Sequence, residues 1–212
     1  MADNYLDKKL EDYKSRSAAG VSRKQATTLT SLLIKNRSCR GYDASFIVRD
    51  DQLRSIVEVN TRIPSARNAQ VLRFRMVNSS EASKVLPHIR LGGALPDLHL
   101  PLPGTEPNAF IIICTTAAPD KNIYTDLGIS AQSMLLRATE MGLAGICIGA
   151  FDKEAIMREF SLEHDPLMIL AIGRSCEDIR LVSIDEGDDK KYYREEGVHY
   201  VPKLRLDSLI IK

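Results

Sequence analysis

Two arginines and a serine fall within four positions, Arg37-Ser38-Cys39-Arg40, and the stretch closes on Gly41-Tyr42. Each guanidinium carries a permanent charge and a planar fork of donors, a geometry that suits phosphate oxygens. Ser38 adds a hydroxyl. The stretch follows a short apolar helix pattern, so its cations stand beside buried sequence. A charge in that setting needs a partner to offset its desolvation. A second basic pair, Lys203 and Arg205, precedes the apolar C-terminal run. Taken singly, each cation is an ordinary surface residue. Taken together, the four are a candidate clamp for an anion.

Two further stretches have chemistry of their own. Pro64-Ser65-Ala66-Arg67-Asn68-Ala69-Gln70 is polar, compact and unlike a strand. Ile148-Gly149-Ala150-Phe151 ends a run of small and apolar residues. Gly149 permits close approach of a ligand to the backbone.

Other chemistries lack their residues. No G-x-G-x-x-G follows a strand pattern, and the glycines at 142, 145 and 149 have the wrong spacing for a dinucleotide fingerprint. There is no Walker-type G-K-[ST] and no H-E-x-x-H. His88, His99, His164 and His199 are scattered. Gly128-Ile129-Ser130 lacks the closing glycine of a nucleophile elbow. Cysteines 39, 114, 147 and 176 make no C-x-x-C, so reduced thiols are expected and no metal site. A net charge of +1 gives no general pull toward nucleic acid or an anionic membrane. The N-terminus MADNYLDKKL has no apolar core of a signal peptide, and no run reaches membrane-spanning length. A soluble, cytoplasmic protein is expected.

The elements that must position these residues follow from periodicity. Residues 4–17 read as an amphipathic helix, and residues 1–26 as a helix and arm preceding one domain over 27–212. Helices are predicted over 27–35, from Asp50 to a stop at Pro64, over 82–89, over 122–142 and from Asp152 to Phe160. Leu53, Ile56 and Val57 give the second its apolar face, and Ile123, Leu127, Ala131, Met134, Leu135, Ala138 and Met141 give the long helix a wide one. Strands are predicted over 71–77, 109–115, 144–150 and 167–173. The fully apolar Ala109–Thr115 is suited to the centre of a sheet. The Pro-rich stretch 92–108 reads as a lid or wall. The charge-dense tract 185–196 reads as a solvated loop, and Leu209-Ile210-Ile211 as a terminal strand that needs a neighbour.

The ordered set of motifs resembles the FMN-dependent nitroreductase family. Arg37-Ser38-x-Arg40-x-Tyr42 is similar to that family's R-[RH]-S-x-[RK]-x-[FY], and Pro64-Ser65-Ala66-x-Asn68-x-Gln70 to its P-S-x-x-N-x-Q. Ile148-Gly149-Ala150-Phe151-Asp152 resembles the turn beneath the flavin, and Pro202-Lys203-x-Arg205 its C-terminal basic pair. The resemblance runs from about Thr27 to the C-terminus. It implies an α+β fold, an antiparallel sheet flanked by helices, in an intertwined homodimer whose C-terminal strands exchange. It implies FMN held by Arg37, Ser38, Arg40, Lys203 and Arg205, with the Gly149 N–H toward the ring after Ile148. Ser65, Asn68 and Gln70 would reach the partner subunit's flavin. The implied activity is ping-pong hydride transfer from NADH or NADPH to a nitroaromatic, quinone or similar acceptor, with no acid–base side chain assigned. Rival readings are a specialised dehydrogenase, dehalogenase or flavin-consuming enzyme, and a flavin-binding or redox-sensing dimer without turnover. A third is a structural α+β dimer without cofactor. Asn36 stands where the family often has an arginine, and Val71-Leu72 where Pro-Trp is frequent.

Overall fold

The computed structural model describes residues 27–92 and 100–211. The expected helix over 4–17, the arm that follows it and part of the Pro-rich stretch lie outside the described residues.

Four strands form the main sheet: β1 (Leu72–Val77), β2 (Ala109–Thr115), β3 (Ala144–Ile148) and β4 (Asp165–Gly173), in the order β1-β2-β4-β3, with every pairing antiparallel. All seven residues of β2 are buried. Such a strand is covered on both faces, and its side chains alternate between two apolar layers. Phe110, Ile112 and Cys114 join Ile146, Ile148, Ile156 and Ile169 on one face. Ala109, Ile111 and Ile113 join Leu53, Ile56, Leu127, Met134 and Leu170 on the other. The expected α+β architecture, an antiparallel sheet flanked by helices, is therefore present.

The helices are α1 (Leu29–Lys35), α2 (Asp50–Val57), α3 (Lys121–Glu140) and α4 (Lys153–Phe160). Each start is explained locally. The Thr28 hydroxyl accepts from Ser31 N at 3.2 Å, Asp120 from Ile123 N at 2.9 Å and Asp152 from Ala155 N at 2.9 Å. Helix α2 begins at Asp50 as expected, with the residue before it as its cap. Arg49 is the cap residue, and its N–H donates to the Gln52 side chain at 3.0 Å. Six of the seven predicted apolar positions of α3 are buried within the helix.

Several boundaries differ. Helix α2 stops at Val57 and continues as a 3-10 turn over Glu58–Thr61, well before Pro64. The expected helix over 82–89 is two 3-10 turns, Ala82–Lys84 and Leu86–His88, because Pro87 lacks the N–H a continuous helix would need. After β4 the chain builds a second sheet that the charge-rich composition had hidden. It contains β5 (Asp178–Ile184), β6 (Tyr193–Glu195) and β7 (Val198–Leu204) in the order β5-β7-β6, with β5 and β7 parallel. The tract read as a solvated loop thus contains a strand.

The C-terminal run is a further correction. Residues Leu206–Ser208 form a 3-10 turn, and Leu209, Ile210 and Ile211 are not a strand in this chain. All three are exposed, Ile211 at 98%.

Candidate functional site

The Arg37–Tyr42 stretch lies along the β3 edge of the main sheet. Ser38 bridges Gly145 of β3 in parallel, and Cys39 N donates to Gly145 O at 3.2 Å. Gly145 is required there. A Cβ would sit 2.6 Å from Ala171 O and 2.6 Å from a Leu135 methyl, so only glycine lets α3, β4 and this segment meet. On its other side the segment is fastened by Cys176 N to Gly41 O at 3.1 Å and by Arg40 N to Glu177 Oε2 at 2.6 Å. Tyr42 is 2% exposed and donates to Cys39 O at 2.9 Å. Burial pushes the Cys39 thiol up to about 12, so it is a packing group, not a nucleophile.

This docking creates a cavity of about 460 Å³ between the β3 edge, α3 and the second sheet. Arg37, Ser38, Arg40 and Lys203, four of the predicted residues, line it together. Lys190 also lines it, and no aspartate or glutamate does. Arg37 Nη2 donates to Leu33 O at 2.6 Å, which ties the guanidinium to the carbonyl end of α1. Burial lowers its pKa from the ordinary arginine value. The Nε atoms of both Arg37 and Arg40 are buried without a hydrogen-bond partner among the described residues. Two desolvated donors and a lining of four cations without a carboxylate are the donor set a phosphate dianion would satisfy.

Asn36 does not act as a spare donor. Its side-chain amide donates to Thr139 Oγ1 at 3.1 Å and pins the end of α1 to α3. Arg205 is not among the residues lining the cavity. Its guanidinium pairs with Asp185 at 3.0 Å on the exposed end of the second sheet. Ile148 is buried in the core, while Gly149 follows β3 with nothing within 4 Å of where its Cβ would be.

Ser65 and Gln70 line a different cavity of about 410 Å³, and Asn68 stands beside it. Non-glycine residues Arg67, Asn68 and Gln70 all have φ near +50°. Such backbone is strained and persists only where its surroundings hold it. The buried carboxylate of Asp126 on α3 does this by accepting from Ala66 N at 2.8 Å, and Gln70 Nε2 donates to Asn68 Oδ1 at 3.1 Å. The cation cavity and the amide-bearing loop are therefore separate within one chain.

Sequence reasoning missed Gln132, Cys147, Lys190, Tyr192 and His199, which complete the first cavity. One signal was available. His199, Val201 and Lys203 are spaced by two along β7, so a strand that turns Lys203 toward the cavity turns His199 there too. Lys190 and Tyr192 carried no comparable signal within their polar tract.

Fold and site define an α+β protein with an anion-ready cavity at a sheet edge. Residues 99–174 match the Nitroreductase family model. A Bacillus subtilis (strain 168) protein named "Putative NAD(P)H nitroreductase YdgI" is 25% identical over 179 residues, 67% of this chain and 86% of that one. A solved nitroreductase family protein from Streptococcus pneumoniae TIGR4 superposes with a TM-score of 0.63 at 15% identity, covering 87% of this chain and all of its own. The FMN-dependent nitroreductase NfnB of Mycobacterium smegmatis, solved with NADPH, superposes with a TM-score of 0.56 at 16% identity over 69% of this chain and 87% of its own. The chain has the fold of these solved nitroreductase-family structures. Among the described residues no helix is long and apolar enough to cross a membrane, and no cluster of three His, Cys, Asp or Glu is placed to hold a metal.

Proposed function

We propose that this protein is an FMN-dependent oxidoreductase that takes hydride from NADH or NADPH and passes it to a nitroaromatic, quinone or similar acceptor by a ping-pong route. The observation that carries the reading is the cavity lined by Arg37 and Arg40, whose Nε donors are buried and unpartnered among the described residues, with no carboxylate in its lining. Bound FMN would supply the hydride chemistry, which no side chain here can. The chain supplies position and electrostatics. Arg37, Arg40 and Lys203 bind the phosphate by charge-assisted hydrogen bonds, and Ser38 adds a hydroxyl donor. Gly149 leaves the backbone after β3 open on one side.

The reading extends to a homodimer. Ser65 and Gln70 line a separate cavity in their own chain with Asn68 beside it, so the three complete a flavin site only in a second copy. Leu206, Leu209, Ile210 and Ile211 are 54–98% exposed and offer an apolar surface for that copy to cover. The name of the Bacillus relative and the NADPH complex of NfnB favour a nicotinamide donor.

The test is the visible spectrum of the purified protein. A flavin band that bleaches with NADH or NADPH and returns with a nitroaromatic or quinone is expected. Colourless protein that takes up no added FMN overturns the reading. A flavin band without turnover in any acceptor would instead mark a flavin-binding dimer.

A further inference from the structure

His199 is a buried ionisable group that the proposed hydride transfer does not use. It sits on β7, 2% exposed, opposite Arg194 of β6 and Ile179 of β5. It lines the cation cavity with Lys203 of the same strand, and its Nδ1 is buried without a partner among the described residues. The Tyr192 ring lies 5.4 Å away at 44°, and the Arg40 guanidinium stands 5.3 Å from the other ring of that pair, Tyr192. A buried polar atom left unpaired is costly, and its persistence calls for an explanation.

We propose that His199 is a phosphate-binding residue of this cavity, and that its imidazole takes up one proton from solvent when the dianion enters between it, Arg40 and Lys203. The proposal rests on the FMN reading above. The electrostatics run in one direction. Burial, then Arg194, then Arg40 hold the imidazole below the ordinary histidine value, and Glu177 opposes them. Lys190 and Lys203, also at the cavity, are further positive charges, and Cys147 of β3 is a thiol whose own pKa burial raises. The surroundings therefore favour neutral His199 while the site holds no anion. A dianion reverses the sign of the local field and favours imidazolium, whose two N–H groups both donate. One ring N–H bond forms as a buffer acid's bond to that proton breaks, and no bond of the ligand changes.

The experiment compares FMN affinity, by quenching of flavin fluorescence, in the unsubstituted protein and in His199→Gln at about pH 6 and about pH 8.5. Gln keeps a donor but cannot titrate. Ionisation of the ligand phosphate is common to both proteins and cancels in the ratio of their Kd values. That ratio is expected to be about tenfold or more at the lower pH, the scale of one charged hydrogen bond, and to fall toward one at the higher. A ratio that does not change with pH overturns the proposal while flavin uptake leaves the oxidoreductase reading standing. Should the variant fold poorly, histidine-labelled unsubstituted protein answers the same question, since only four histidines are present. The His199 resonance should titrate at higher pH with FMN and not with riboflavin. An unmoved resonance, or an equal shift with riboflavin, overturns the phosphate assignment. No uptake of FMN by the unsubstituted protein overturns both.

Discussion

The backbone N–H of Arg40 donates to Glu177 Oε2 at 2.6 Å, and Arg194 pairs with the other carboxylate oxygen. Glu177 has a side chain only 9% exposed, so one carboxylate holds the loop bearing the cavity cations to the second sheet. Glu177→Ala removes charge-assisted bonds and leaves Arg194 unpaired. A loss of about 1.5–3 kcal/mol is expected in urea unfolding, together with weaker FMN binding. Unchanged stability and affinity would show that the loop needs no such anchor.

The two ends of the predicted basic set should separate experimentally. Arg40→Ala removes a cavity donor and should weaken FMN binding by about 1.5–3 kcal/mol, roughly ten- to a hundredfold. Arg205 pairs with exposed Asp185, and exposed pairs contribute about 0–1 kcal/mol. Arg205→Ala should therefore change FMN affinity little. Equal losses in a fluorescence titration would place Arg205 at the ligand.

Gly145 tolerates no side chain. Gly145→Ala places a methyl 2.6 Å from Ala171 O, which is backbone and cannot swing away. Overpacking of this kind costs about 1–3 kcal/mol. Thermal unfolding should shift down by about 2–4 °C for each kcal/mol in a chain of this size. Gly149→Ala, with open space around the added methyl, is the matched control and should leave the midpoint near its original value.

Alkaline stability follows from the buried thiols. Cys39 is pushed from the ordinary 9.0 up to about 12, and Cys114 to about 11, in both cases chiefly by burial. A thiol with a higher pKa folded than unfolded keeps its proton longer in the native state. Between about pH 9 and 12 the unfolded chain therefore binds fewer protons, and stability falls as pH rises. The contribution is intact below about pH 8.5. Urea midpoints measured from pH 8 to 11 should decline, and more shallowly in Cys39→Ala. Identical slopes would exclude Cys39 as a source of the decline.

Asp126 holds the strained loop. Asp126→Asn should loosen residues 66–70, where three non-glycine residues carry positive φ. Amide exchange at Ala66 and its neighbours should rise before global unfolding. Protection equal to that of the unsubstituted protein would mean that the loop holds its own shape.

Local periodicity settled the elements whose residues see the same environment along their length. The alternation of Ala109–Thr115 between two apolar layers, the apolar face of Lys121–Glu140 and the Asp152 cap each follow from neighbours in sequence. So does the grouping of Arg37, Ser38 and Arg40, which lie within one loop. The second sheet was not legible, because β5 pairs in parallel with β7 across about twenty residues and their sequences are half polar. Pairing at that distance is decided by which edges meet, not by local pattern. Only the tertiary structure could bring Lys190, Tyr192 and His199 to Arg40, send Arg205 to Asp185 and divert Asn36 to Thr139. Residue types determined that this protein could bind an anion. The docking of Ser38 and Cys39 on Gly145 of β3 and of Arg40 on Glu177 decided which cations face the cavity.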